Sequence, residues 1–178
     1  MQDQSAASAT QTLHPIASAI AVTWRRSGAY AARLVSDLSP SQWVAQPVLN
    51  VAMNHPAWIF SHLNVYTGIC TAMLRGVSFA DPIDHGFGQR SEVSVRETDY
   101  LPGADLLAEY TRLHAEAEDA LVGARAEVYS RTTPLGRWRA VHPTIGDMLV
   151  TLMVKHESGH LGQLSAWRRA MGMARVPM

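Results

Sequence analysis

Hydrophobic residues recur along this chain at intervals of three and four, in four long stretches separated by polar, turn-rich segments. Such spacing places apolar side chains on one face of a helix. The first stretch carries Leu13, Ile16, Ile20, Trp24, Ala31, Leu34 and Leu38, and ends at Ser39-Pro40-Ser41-Gln42. That string is a capping-box pattern, which predicts a short helical restart around Trp43. The second opens at Asn54-His55-Pro56 and runs through Trp58, Ile59, His62, Leu63, Tyr66, Ile69, Cys70 and Met73 to a stop at Gly76. The third begins near Pro102-Gly103 and continues through Leu106, Tyr110, Leu113, Ala117 and Leu121. The fourth has Thr144 as its cap and Asp147 in its first turn. Its stripe is Ile145, Leu149, Leu152, His156, His160, Leu164 and Trp167. Arg168 and Arg169 suit the C-terminal dipole, and Gly172 can end the helix.

The links are uneven. Residues 77–101 contain Asp81-Pro82 and Gly86-Phe87-Gly88 with no sustained period, and a link that long in a compact domain usually rims a pocket. Residues 129–143 form a second irregular link with Trp138 between Arg137 and Arg139. No strand-length alternation and no internal repeat stand out. The expectation is an all-α protein, a four-helix bundle with long loops between helices, in one domain over residues 13–178 behind a disordered polar tail at 1–12.

Composition narrows the function classes. Acidic and basic residues balance at 15 each, so the chain lacks the basic footprint that phosphate binding needs, and nucleic acid is not an expected partner. The single cysteine, Cys70, fits a reducing compartment. MQDQSAASATQT has neither the charge nor the apolar run of a signal peptide, and no apolar run approaches a membrane span of about 20 residues. The expected location is cytoplasmic, with no membrane partner.

The chemistry lies in His156-Glu157-Ser158-Gly159-His160. Two imidazoles four residues apart share a helix face, with Cβ atoms about 6 Å apart, close enough to grip one metal ion. His62 interrupts the apolar stripe of the second helix and is a candidate third ligand. Three histidines on a tetrahedral ion leave one position open, the arrangement of a catalytic site. A lone histidine on an apolar face is more often a core residue, and His114 is given that reading. His14, His55, His85 and His142 stand beside prolines or in loops and are read as surface residues.

The same string matches the zincin protease motif, with Glu157 as general base. The context does not fit. Gln163 and Ala166 stand where the extended motif wants glycine and histidine, and no acidic residue follows Glu157. A di-iron carboxylate bundle needs two Glu-x-x-His turns, and only Glu157…His160 occurs. Glu157 is rotated about 100° from His156 around the helix. It is therefore carried as the candidate catalytic side chain acting behind a ligand histidine or in an inter-helix hydrogen bond, and the plain alternative is a charged residue at the bundle edge.

Taken together, these pieces resemble the DinB/YfiT-like metalloenzyme superfamily. The resemblance rests on Asn54-His55-Pro56-Ala57-Trp58-Ile59-Phe60-Ser61-His62-Leu63, on His85-Gly86-Phe87-Gly88, on Pro143-Thr144-Ile145-Gly146-Asp147, and most strongly on His156-Glu157-Ser158-Gly159-His160-Leu161-Gly162-Gln163-Leu164 with Trp167-Arg168-Arg169 after it. It spans roughly residues 13 to 172. It implies an up-down-down-up four-helix bundle, often dimeric, with a divalent metal held by His62, His156 and His160. Members with assigned activities include bacillithiol transferases, mycothiol-dependent maleylpyruvate isomerases and an iron-binding domain of ergothioneine synthesis. The last type carries an acid where this chain has Gly162, and the isomerases tend to carry one in place of the first histidine of the pair.

The expected function is a metal-dependent transferase or hydrolase that uses a metal-activated thiol or water on a small-molecule electrophile. Zn²⁺ or Ni²⁺ is the first choice of ion, with Fe²⁺ or Mn²⁺ after them, and a low-molecular-weight thiol is a candidate cosubstrate. The rival expectation is a non-catalytic metal-binding dimer acting in ligand sensing or stress response. Eight Met and five Trp residues along the apolar stripes add to the expectation of a homodimer.

Overall fold

The computed structural model describes residues 13–178; the tail expected over residues 1–12 lies outside the described residues. Helix α1 spans Pro15–Val35, α2 Pro56–Arg75 and α3 Gly103–Gly123. A short helix, α4, follows at Ala126–Ser130. Then α5, Ile145–Leu149, passes without a break through a π-helical segment, Val150–His156, into α6, Glu157–Ala170. The protein is all-α. Among the described residues there is no strand, only an isolated antiparallel bridge between Thr132 and Thr144.

The helix ends follow from local chemistry. Thr144 and Asp147 cap α5 reciprocally: the Thr144 amide donates to Asp147 Oδ2 at 3.0 Å, and the Asp147 amide donates to Thr144 Oγ1 at 3.1 Å. Gly76 ends α2 in the left-handed region, with φ 68°. The restart around Trp43 is a 3₁₀ turn over Pro40–Val44, and the Ser39 amide donates to Gln42 Oε1 at 2.8 Å. A Cβ on Gly103 would lie 2.1 Å from the Trp43 ring, so only glycine lets α3 begin there.

Three expectations change. The fourth helix is continuous but not α-helical throughout, since the Glu157 amide donates to the Leu152 carbonyl five residues back. β-Branched Val150, Thr151 and Val154 weaken α-helix preference there, and periodicity alone does not reveal the wider turn. Helix α4 was not expected, because five residues are too few to show a period. His55, read as a surface residue, is fully buried. It caps α2, accepting from the Trp58 amide at 3.3 Å through Nδ1.

Two apolar clusters fill the interior. One joins the first half of α1 to the second halves of α2 and α3 and to α5 with its π segment. The other joins the second half of α1 to the first halves of α2 and α3 and to α6. Each is anchored by a buried tryptophan, Trp24 in the first and Trp167 in the second. Burial of one large apolar side chain contributes about 1.5–3 kcal/mol. Between the clusters, halfway along the helices, runs a belt of polar residues: Ser27 on α1, His62 on α2, His114 on α3, and His156, Glu157 and His160 on the fourth. No helix among the described residues is long and apolar enough to cross a membrane.

Candidate metal centre

The belt divides into two parts on either side of the fourth helix. On one side His62, His156 and His160 turn their Nε2 atoms toward a common point. His62 Nε2 lies 2.9 Å from His156 Nε2, and His160 Nε2 lies 3.1 Å from the same atom. His62 is buried, and the other two are half-buried, so the cluster reaches the surface on one side.

The outer nitrogens fix the tautomers. His62 Nδ1 stands 2.7 Å from the carbonyl of Phe87, which can only accept, so Nδ1 carries the proton and Nε2 a bare lone pair. His160 Nδ1 donates to Gln163 Oε1 at 2.9 Å, and Asn54 Nδ2 donates to that same oxygen at 2.9 Å. His156 is left with one proton and two electron-rich neighbours, while its Nδ1 is buried without a partner. A proton on Nε2 serves only one neighbour; a proton on Nδ1 is unpaired and leaves three lone pairs converging. The protein alone satisfies neither state, whereas one cation satisfies all three nitrogens. A zinc ion bound at about 2.0–2.1 Å sets tetrahedral nitrogens about 3.3 Å apart, so the observed spacing accommodates it after a small opening. The residues fit a divalent ion with one position left open.

Electrostatics point the same way. Burial, together with neighbouring His160, holds the His62 imidazole down at about 4. Burial, then His160 and His62, holds His156 at about 3. Burial also lowers His160. All three are neutral at pH 7, the form a metal requires.

The walls come from the same helix and from the long link. Trp58 stacks on the His62 ring with centroids 4.7 Å apart, and Tyr66 lies 4.7 Å from His62 and 4.9 Å from His156. Residues 58, 62 and 66 are one helical turn apart, so α2 presents them as a ladder. Two histidines pin the 77–101 link to this helix: His62 holds the Phe87 carbonyl, and His55 Nε2 donates to the Ser94 carbonyl at 2.7 Å. Arg137 Nε donates to Asp81 at 2.9 Å, tying the second long link to the first.

Glu157 faces the other way. It is 1% exposed, and its carboxylate accepts a hydrogen bond from the Tyr110 hydroxyl of α3. The imidazole within ion-pair reach is that of His114, with Nε2 3.7 Å from Glu157 Oε1. Burial, with Glu157 beside it, raises the Tyr110 phenol well above its ordinary value, so it stays protonated and donates. His114 is itself fixed: its ring stacks on Trp24 at 3.6 Å, and its carbonyl accepts from Trp24 Nε1 at 2.9 Å. A Cβ on Gly28 would come 2.9 Å from that ring, so α1 needs glycine at this contact.

The structure thus brings His62, His156 and His160 together and does not bring Glu157 to them. The parts played by Phe87, Gln163 and His55 were missed from the sequence. Gln163, three residues after His160 on the same helix, was the one with a readable signal. Cys70 is buried and its thiol is pushed up by burial, which removes it as a nucleophile.

No curated protein and no solved structure matches the chain. The model of the DinB superfamily matches residues 23–164, a span that includes all three histidines and most of all four long helices. The chain therefore belongs to the DinB superfamily.

Proposed function

We propose that the protein is a metal-dependent enzyme that uses the His62–His156–His160 centre to activate a thiol, or a water, for attack on a small-molecule electrophile. The observation that carries this reading is the convergence of three neutral Nε2 atoms, two with their Nδ1 protons held outward by Phe87 and Gln163. A divalent ion, Zn²⁺ or Ni²⁺ before Fe²⁺ or Mn²⁺, would supply positive charge that three neutral imidazoles leave uncompensated, which lowers the pKa of a thiol or water. Trp58 and Tyr66 restrict the approach to this point, and the link carrying Phe87 shields it from bulk water. With Cys70 inert, the thiol in a transfer reaction is a separate low-molecular-weight cosubstrate. Glu157 enters as a positioning residue, joining α6 to α3 behind the ligands through Tyr110.

The helices are read as an up-down-down-up four-helix bundle. The first halves of α1 and of the fourth helix share one apolar cluster with the second halves of α2 and α3, which supports that order. A cytoplasmic homodimer completes the proposal. Val48, Leu49 and Val51, exposed together before α2, are the apolar surface at which a second copy is sought.

The test loads apoprotein with Zn²⁺ or Ni²⁺ and measures thiol conjugation to a generic electrophile alongside ester hydrolysis, for wild type and His62→Ala. Turnover that requires both metal and His62 supports the enzyme. Stoichiometric metal binding with no turnover of either kind favours the sensing dimer, for which sedimentation at micromolar concentration is the companion measurement.

A further inference from the structure

A groove of about 740 Å³ lies between α1 and α6 and is bounded by the chain beyond α6. It lies apart from the metal centre: Ser158, Leu161, Gly162 and Ser165 line it, while His156, His160 and Gln163 belong to the other side of the same helix. Pockets of about 300–1,000 Å³ are the size that takes small ligands.

The charged side chains of the groove are all of one sign. Arg26, Arg168, Arg169 and Arg175 line it and no acidic side chain does. Arg168 is buried and neutralised by Asp37, to which its guanidinium donates at 2.9 Å, yet its Nε is buried with no partner. Arg26, Arg169 and Arg175 are exposed and form no ion pair among the described residues. The charge is local, since the whole chain is neutral. The accessible apolar part of the lining is Val22 and Met178, both exposed, with half-buried Val176. Hydroxyls of Thr23, Ser158 and Ser165 complete a lining rich in donors. A second copy seated face to face here would set these arginines against their own counterparts, which like-charge repulsion opposes.

We propose that this groove binds a small amphipathic anion, its carboxylate or phosphate head held by Arg26, Arg169 and Arg175 and its apolar body laid against Val22, Val176 and Met178. This site is additional to the metal centre and does not depend on what the centre does.

The experiment is calorimetric titration of the full chain with four probes: octanoate, octyl phosphate, octanol and inorganic phosphate. Wild type is expected to bind one or both amphipathic anions saturably, and to bind octanol and inorganic phosphate at least about tenfold more weakly. The tighter of the two anions identifies the head group. Arg26→Glu/Arg169→Glu, a change confined to exposed side chains, is expected to weaken that binding by at least about tenfold. Arg175→Gln supplies a milder version should the double reversal misfold, and is expected to weaken binding measurably. His160→Ala, which alters the metal centre, is expected to bind the anion as wild type does. The proposal is overturned if neither anion binds saturably, if octanol binds as tightly as octanoate, if the arginine variants bind unchanged, or if His160→Ala abolishes binding.

Discussion

His156 and Glu157 are consecutive residues of one helix, and the two sides of the polar belt they serve are built on opposite rules. On the Glu157 side a donor meets an acceptor: the Tyr110 hydroxyl is given to the carboxylate, and His114 is clamped between Trp24 and the close approach of Gly28. On the His156 side three acceptors face one another with at most one proton among them. Buried polar groups in folded proteins are normally paired, and an exception calls for an explanation. The Glu157 side explains itself as a strut between α6 and α3. The histidine side is a group of three nitrogens that could hold a cation at its centre. The Glu157 side is the more deeply buried, and there too one atom, His114 Nε2, has no hydrogen-bond partner; what sets the histidine side apart is that three nitrogens converge on one point.

Exchanging the roles of the two sides is the strongest way to break this comparison. His156→Ala is expected to abolish stoichiometric metal binding, and turnover with it, while leaving the unfolding midpoint of the metal-free protein nearly unchanged. Glu157→Ala is expected to do the reverse. It leaves the buried Tyr110 hydroxyl without an acceptor, at a cost of about 1–3 kcal/mol, while metal content stays stoichiometric. Glu157→Gln keeps an acceptor for Tyr110 and should lose less. Metal analysis and chemical denaturation on the same three variants check both halves. Full loss of activity in a well-folded, fully metallated Glu157→Gln protein would return Glu157 to the role of general base.

A second test uses pH. The folded-state values of His62 and His156 lie at about 4 and about 3, below their ordinary value, because burial and the neighbouring imidazoles disfavour charge. A depressed folded value means that stability is fully present above about pH 6.5 and is lost as pH falls through the folded values. The metal-free protein should therefore lose denaturation midpoint steadily on acidification, and His62→Ala/His156→Ala should show a flatter profile. A wild-type midpoint that is flat or rises on acidification would contradict the neutral, buried triad.

The parts of the site that could be read from the chain are those set by spacing. His156 and His160 repeat at helical period, and His62 breaks an apolar stripe, so the three histidines that the fold brings together were visible without coordinates. Caps carried by Thr144, Asp147 and Gly76 were equally legible, because capping is local chemistry. Partners supplied across space were not. Nothing in the order of residues says that the Phe87 carbonyl reaches His62, that His55 is buried against Ser94, or that Tyr110 faces Glu157. The π segment also escaped, because its seven residues are too few to establish a period of their own. Rotation of Glu157 off the histidine face was legible; its destination on α3 was not.

The smallest expected effect probes how the histidine side is held open. His160 Nδ1 donates to Gln163 Oε1, which also accepts from Asn54, so a single exposed amide orients the ring and keeps Nε2 bare. Gln163→Ala removes that acceptor. The ring is then free to rotate or to shift its proton to Nε2, and metal affinity should fall by about tenfold. Because Gln163 lies on the surface, the unfolding midpoint should stay where it is. Gln163→Glu restores an acceptor and adds negative charge, which makes the imidazole a better donor to a cation, so it should bind metal at least as tightly as wild type. Competition titrations with a chelator rank the three proteins. The order Glu, Gln, Ala in falling affinity, with one common midpoint, is what an orienting hydrogen bond requires. Equal affinities would mean that Phe87 and the packing of Trp58 already fix the centre, and that Gln163 belongs to the surface alone.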